Sequence, residues 1–371
     1  TAKHLTHVKW LGVHEIKELP DVHENSLWID ALFGLGQTRP LPTYLEEMFK
    51  VRNKKKPGLL VSLDIPSGIC SDSGKTINND APKARYTLTV GLVKKGLIQD
   101  IALPYVGEIV RIDIGISKSM LNDFKNNIAL KIGSKDLPSI PWPILSASSM
   151  KYERGRVLII AGSNSYRGAS LLSLQGALAS GVGSVEAFLP SCVAEKIWQE
   201  VPEVLIRDVL TNSALGGSSF RSCLQEFDLE KIDCVLLGPG LGPGDECFLK
   251  DLEPLEGFKG LLVLDADGLN RLANSREGWK WFEKRHGPTW ITPHRAEFER
   301  LFPGLSSLDS FEAAQKASAI SGVGVLLKGA HSVLSLPNGS TFQLERTSQF
   351  AARAGWGDVL AGFASGIGAI S

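Results

Sequence analysis

Net charge is the first thing this 371-residue chain lacks: Lys and Arg together count 40, and so do Asp and Glu. A balanced chain has no field to gather nucleic acid or an acidic membrane, so a small-molecule partner is expected. Cysteine is sparse as well. Cys70, Cys192, Cys223, Cys234 and Cys247 form no CxxC pair and are odd in number, which suits a reducing, cytoplasmic setting better than a disulfide framework. No apolar run approaches the roughly 20 residues of a membrane-spanning helix. The length is enough for two domains, each burying its own core. The chain opens in mid-pattern at Thr1, without a methionine, and a piece of a longer protein is expected.

What is present begins with two apolar runs that end in acids. Leu27 to Phe33 contains Asp30 and runs into Gly34-Leu35-Gly36; Leu59 to Ile65 contains Asp64 and runs into Pro66-Ser67-Gly68. Continuous apolar runs of this length read as strands of a parallel sheet, with Pro42 to Val51 as the crossover helix between them. Ligands of open parallel sheets sit at the carboxyl ends of the strands, where Asp30 and Asp64 would be neighbours. Two such carboxylates serve a cation or a proton transfer, or they cap the loops beyond their strands. Gly68 to Thr76 imitates a phosphate-binding P-loop, but five residues separate its glycines where that motif has four, and no helix start follows, so a surface loop is expected. Tyr86–Val90 and the alternating Glu108–Ile114 read as two more strands, the second at an edge. Residues 117–151 lose periodicity and gather prolines and serines, the composition of a linker.

A second pattern starts at Gly155. Arg156–Ile160, Cys234–Leu237, Leu261–Leu264, Trp290–Ile291 and Gly324–Leu327 are buried-strand runs. They end, in turn, in Gly162 to Gly168, in Gly238-Pro239-Gly240-Leu241-Gly242, in Asp265-Ala266-Asp267, in His294 and in Lys328. Their alternation with helical stretches predicts βαβ units and a mainly parallel sheet flanked by helices. Near the end, Ala354-Gly355-Trp356-Gly357-Asp358 runs into a small, apolar helical stretch. Such a loop can aim backbone N–H groups at an anion at a helix N-terminus, with Asp358 at its mouth. It is otherwise a glycine-rich turn with an ordinary first-turn acid. Polar residues and glycines at five strand ends on one sheet edge favour a binding site over five separate caps.

These pieces carry a resemblance. Gly155-Arg156-Val157 through Gly168-Ala169, Gly238 to Gly242, Leu264 to Asp267, Thr292-Pro293-His294, Lys328-Gly329 and Gly355 to Asp358 resemble the ribokinase-like superfamily, and within it the ADP- or ATP-dependent NAD(P)H-hydrate dehydratases. Asp30 to Gly34, Asp64 to Gly68 and Tyr105 to Glu108 resemble the carboxyl-terminal half of NAD(P)H-hydrate epimerases, whose fold is Rossmann-like. The tandem order is that of bifunctional nicotinamide-nucleotide repair enzymes. The resemblance implies an epimerase-like part over residues 1–120, a linker over 121–150 and a dehydratase domain over 151–371.

Its implications are chemical. Hydrated NADH or NADPH carries a hydroxyl at C6 of the nicotinamide ring; phosphorylating it makes a leaving group, and loss of phosphate restores the ring double bond. Asp358 would be the general base, while Gly355, Trp356 and Gly357 would neutralise the transferring phosphate. Lys328, Gly329, Ala330, His331 and Ser332 would hold ADP or ATP with Mg²⁺. Ala169, Gly238, Gly240, Gly242 and His294 would hold the hydrated dinucleotide. In the first part Asp30 and Ser67 would ligate K⁺, Asp64 would handle the proton, and Gly34, Leu35, Gly36, Gln37, Thr38, Arg39 and Pro40 would form the substrate loop. A homo-oligomer is implied. The epimerase's amino-terminal glycine-rich loop and the helices expected beyond Ser371 lie outside the sequence, so an inactive epimerase remnant beside a largely intact dehydratase site is expected if this sequence is all there is. Two other readings fit the pattern: a ribokinase-like small-molecule kinase, which would accumulate a phosphorylated product, and a non-catalytic nucleotide-binding protein, which would bind without turnover.

Overall fold

The computed structural model describes the whole chain except residues 1, 15, 17–25, 56–59, 123–129, 141, 144, 214, 245–246, 346 and 371. Leu59, Pro141 and part of the expected linker fall outside the described residues. The chain divides into two compact units, Thr1–Asn127 and Ile128–Ser371.

In the first unit four strands, β1 (Trp28–Asp30), β2 (Leu60–Leu63), β3 (Tyr86–Val90) and β4 (Glu108–Ile112), pair in that order, all parallel. Helix Thr43–Lys55 supplies the β1–β2 crossover and buries Leu45 and Phe49 against Leu60. Register places Asp30 opposite Ser62, so the loops beyond both strands open at the same sheet edge. The P-loop imitation is a loop, yet only partly a surface one: Ile69 is buried and bridges Thr76, because an apolar residue in a wide turn gains by folding back onto the core.

Among the described residues the second unit holds eleven strands: β5 (Leu130–Ile132), β6 (Arg156–Ile160), β7 (Ser184–Pro190), β8 (Leu205–Asn212), β9 (Ser218–Ser219), β10 (Cys234–Leu237), β11 (Leu261–Leu264), β12 (Thr289–Ile291), β13 (Gly324–Leu327), β14 (Val333–Ser335) and β15 (Thr341–Leu344). Their order is β5-β15-β14-β13-β12-β11-β10-β6-β7-β8-β9. The run from β13 to β8 is parallel throughout. Beyond it β14 and β15 continue antiparallel, and β5, inside the stretch expected to be a linker, pairs with β15. After β6 the chain first adds strands on one side and then returns to the other, so the loops leaving β6 and β10 flank a switch point, where α/β sheets bind ligands. No helix among the described residues is long and apolar enough to cross a membrane.

Successive strand residues serve opposite layers. Leu158, Ile160, Val235 and Leu237 face one core, while Val157, Ile159, Cys234 and Leu236 face the other. The second core is closed by helices Arg167–Ala179 and Trp356–Ile370, which meet almost backbone to backbone. A Cβ on Gly176 would overlap the Val359 carbonyl, and one on Gly362 the Ser173 carbonyl. In an exposed helix Gly→Ala gains about 1 kcal/mol of propensity. Here the sign should reverse: Gly176→Ala is expected to cost about 1–3 kcal/mol in urea denaturation, because overpacking outweighs propensity. A stability gain would show that these helices part easily.

Candidate active site

Four parallel strands of the second unit end at one edge, and each delivers a polar group there. β10 runs into Gly238, Gly240 and Gly242, all at positive φ, and a Cβ on Gly240 would crowd Ala169 at 2.6 Å from its Cβ. The loop is pinned from below by the buried Arg271, whose guanidinium donates to the carbonyls of Gly242 at 2.9 Å, Leu241 at 2.7 Å and Ser218 at 2.9 Å. Gly242 N–H in turn donates to Asp267 at 2.7 Å. The Gly238 to Gly242 loop therefore reaches Ala169, in the first turn of helix Arg167–Ala179, across the switch point.

β12 runs into His294, the N-cap of helix Arg295–Leu301. Its Nδ1 accepts the N–H groups of Ala296 at 3.1 Å and Glu297 at 3.3 Å, while the Glu297 carboxylate accepts His294 N–H at 2.8 Å. This is a capping box, with the ring nitrogen in the place of a hydroxyl. One imidazole nitrogen is thus committed to the helix, a structural duty beyond the substrate contact expected from sequence. Burial raises the Glu297 carboxyl above its usual range.

β11 and β13 meet through their ends. Lys328 Nζ lies 2.7 Å from Asp265 Oδ1, and the Asp265 side chain is 1% exposed. Beyond Lys328, Ser332 closes the Gly329 turn by donating to its carbonyl at 3.0 Å. His331 is buried, with Nδ1 2.8 Å from the Leu344 carbonyl, so its ring serves the β14–β15 side of the sheet. Of the group expected to hold nucleotide, the His331 ring is committed internally.

The helix Trp356–Ile370 brings the last loop to the same edge. Gly355 has φ +85°, and a side chain there would run into Leu172. The first-turn N–H groups of a helix have no intrahelical acceptor and point outward along its axis. Trp356 is 53% exposed, so the indole stands away from the packed side of the helix. Gly357 borders the charges instead: a Cβ there would lie 3.3 Å from Lys328 Nζ and 3.9 Å from Asp265 Oδ2. Asp358 follows, half-buried, and its carboxyl is pushed up to about 6, first by burial and then by the charges of Asp265, Asp267 and Glu297, against a lowering by Lys328. Asp265 and Glu297 acquire their importance here; the first was only one acid of a pair in the sequence, and the second was hidden as a helix acid.

The first unit has its own pair of acids, each with its own partners. Asp30 is buried and accepts Ser62 Oγ at 3.1 Å, Ser67 N–H at 2.8 Å and Ser67 Oγ at 2.5 Å. Asp64 has φ +70°, rare for a side chain larger than glycine. It forms an ion pair with Lys94 and accepts Val90 N–H at 3.2 Å. The Gly34 to Pro40 loop approaches it: a Cβ on Gly34 would sit 3.3 Å from Asp64 Oδ2, and Gln37 anchors the loop by accepting Gly68 N–H at 2.8 Å. Lys94 was not singled out in the sequence; nothing marks a lysine thirty residues away as an acid's partner. Among the described residues no three His, Cys, Asp or Glu side chains gather into a metal cluster.

A mainly parallel α/β sheet with an acid at the amino end of a late helix, facing glycine-rich loops at a switch point, defines the ribokinase-like class. The second unit superposes on the ADP/ATP-dependent NAD(P)H-hydrate dehydratase of Bacillus subtilis with TM-score 0.53 at 24% identity, covering 66% of this chain and 82% of that one. It superposes equally, at TM-score 0.53 and 22% identity, on a ribokinase-like superfamily protein of Enterococcus faecalis, covering 64% and 79%. The family described as NAD(P)H-hydrate dehydratase matches residues 157–370, and that described as YjeF-related protein N-terminus matches residues 1–96. Along 97% of its length the chain is 36% identical to the bifunctional NAD(P)H-hydrate repair enzyme Nnr of Gloeobacter violaceus, spanning 70% of that protein. The chain belongs to the bifunctional NAD(P)H-hydrate repair enzymes, with a dehydratase domain and an epimerase-type domain.

Asp358 also sets a stability prediction. The fold raises this carboxyl's pKa, so its ionisation costs stability: the cost is absent below the unfolded-chain value near 4 and complete above about pH 6. Asp358→Asn is expected to raise the melting temperature at pH 8 and to lose that advantage at pH 4; a lower melting temperature at pH 8 would contradict this electrostatic account.

Proposed function

We propose that the second unit repairs hydrated NAD(P)H by phosphorylating the C6 hydroxyl and expelling phosphate, with Asp358 as general base. The observation that carries this reading is Asp358 itself, a half-buried acid raised to about 6 beside the first-turn amides of its own helix and the ammonium of Lys328. Such a group is ionised near neutrality yet basic enough to take a proton.

In this scheme the hydroxyl oxygen attacks the terminal phosphorus of ADP or ATP while its proton passes to Asp358, and the bond from that phosphorus to the bridging oxygen breaks. The N–H groups of the Gly355 to Gly357 loop, with Lys328, stabilise the charge on the transferring group. The ring nitrogen's electron pair then expels phosphate from C6, and loss of a C5 proton restores the double bond. The solved Bacillus dehydratase of the same fold was co-crystallised with ATP and Mg²⁺, which supports the choice of nucleotide. Mg²⁺ would enter through the nucleotide phosphates, keeping several of its waters. The hydrated dinucleotide would lie across the switch point, against Ala169, Gly238 to Gly242 and the exposed face of His294.

For the first unit we infer the epimerase step, with Asp64 as the proton-handling acid at the Gly34 to Pro40 loop. Its positive φ places strain at the site, where such outliers concentrate. Asp30 Oδ1 and Ser67 Oγ form a pair of hard oxygens 2.5 Å apart, a donor set that suits K⁺ in character.

Incubating the full chain with hydrated NADH, ATP or ADP and Mg²⁺ should restore the nicotinamide absorbance. Asp358→Asn should lower kcat by about 10²–10⁴-fold, the usual worth of a positioned general base. The wild-type kcat/KM should fall tenfold per unit below about pH 6, where Asp358 takes up its proton. Accumulation of a stable phosphorylated product would instead favour a small-molecule kinase, and full turnover in Asp358→Asn would remove Asp358 from the base role. Asp64→Ala should abolish interconversion of the R and S hydrates, followed by chiral chromatography, and leave dehydration of the S form intact; undiminished epimerisation would contradict the role given to Asp64.

A further inference from the structure

The Asp265 carboxylate does something unusual for its position. Asp265 is the N-cap of helix Ala266–Ala273, where an aspartate ordinarily accepts the N–H of the second or third helical residue; its side chain makes no such bond. Gly268 N–H goes to the Asp265 backbone carbonyl instead, at 3.0 Å. The next residue, Ala266, stands at φ +48°, a conformation that costs a side-chain-bearing residue free energy. A forgone cap and a strained backbone are two local losses, and in return the carboxylate reaches Lys328 Nζ at 2.7 Å in a buried pair. Buried ion pairs add little net stability, so stability alone does not account for the arrangement.

The surroundings indicate what the pair achieves. Four carboxylates share the charge environment of Asp358 or belong to it: Asp265, Asp267, Glu297 and Asp358 itself. Asp267 is engaged with Gly242 N–H and Glu297 with His294 N–H, so neither is the group bonded to Lys328. Gly357, lacking a side chain, lets the ammonium sit at the amino end of the Asp358 helix.

We infer that Asp265 is a positioning residue of the dehydratase reaction: it pins Lys328 beside the Gly355 to Gly357 loop and so keeps the ammonium from pairing with Asp358. The inference rests on the reading of Asp358 as general base. An unpinned lysine would have two consequences. It would leave the place where charge develops on the transferring phosphoryl group, and it would pair with Asp358 and make that carboxylate a weaker base. Asp265 acts through Lys328 and through its own charge, without touching substrate.

The test is the pH profile of kcat/KM for the full chain. Asp265→Asn removes a negative charge from the surroundings of Asp358 and frees a positive one, so its acid limb should move to lower pH by about one unit, with kcat reduced about tenfold or more. Lys328→Met removes the positive charge, and its limb should move the other way, above that of wild type. The double variant should bring the limb back toward the wild-type position while kcat stays low. A merely structural role for Asp265 would lower activity and leave the limb in place, and that result, or shifts of the same sign in both single variants, would overturn the inference. Where turnover is too small for a profile, titration of the Asp358 carboxyl followed by ¹³C NMR reads the same shifts. If Asp265→Asn fails to fold, Lys328→Met alone decides: an upward shift supports the pair, and an unmoved limb overturns it. The Asp358→Asn variant separates the two levels of the argument. Undiminished turnover there overturns the base reading itself, whereas loss of turnover there with an unmoved limb in Asp265→Asn overturns only the positioning role.

Discussion

The contact on which the dehydratase unit depends is the close approach of two helices, Arg167–Ala179 and Trp356–Ile370, through glycine. Gly176 and Gly362 face backbone of the other helix, and Gly366 the hydroxyl of its C-cap Ser180, at distances no Cβ would allow. This contact is far from a generic hydrophobic one, since glycine contributes little apolar area and loses the most chain entropy on folding. What it supplies is position. The late helix is brought in close enough for its amino end to reach the sheet edge where β11, β12 and β13 finish, and Asp358 and its loop arrive with it. The same helix Arg167–Ala179 carries Ala169 in its first turn. One packed pair thus fixes the spacing between Asp358 and Ala169 by backbone contact, which does not drift with rotamers.

Charge is the second constraint. Asp265, Asp267 and Glu297 act on Asp358 together with Lys328. Burial first, and then this surplus of acid, raises the carboxyl of Asp358 and makes its ionised form costly. Each neighbour is offset locally: Asp267 by an amide of the Gly242 loop, Glu297 by the His294 cap, Asp265 by Lys328. Asp358 is the acid of the group proposed as the base, and the neighbours' partners take up the charges around it.

The central strands of the second unit's sheet were legible in the sequence because they are buried on both faces and read as unbroken apolar runs; Arg156–Ile160 and Cys234–Leu237 have the bounds their composition predicts. Their ends were legible too, since glycines and charged residues after such runs mark the ligand edge. The β14–β15 hairpin and β5 were not. They are short, they mix polar with apolar residues, and β5 pairs with a strand far along the chain from it. Side-chain commitments were also hidden. No local pattern tells that the His331 ring turns inward to a carbonyl of β15, or that the His294 ring caps a helix. The pairing of Asp64 with Lys94 crosses thirty positions and depends on a backbone angle that sequence does not announce.

That angle has a counterpart in the other unit. The two positive-φ residues other than glycine are Asp64 and Ala266 among the described residues, and each lies immediately beside or at the start of a site. In both, a parallel strand ends and the chain must turn sharply enough to bring an acid and its lysine together, Asp64 with Lys94 and Asp265 with Lys328. A glycine at the turning residue would relieve the strain in either place. At position 64 it would also remove the carboxylate, and at position 266 it would loosen the one dihedral that decides where two adjacent acids point. The strain is retained in each case because the residue that bears it, or the neighbour it aims, has a specific partner across the loop. Precision of a charged side chain at a strand end is here obtained from the backbone, and the free-energy cost is borne by the sheets on which those strands are buried.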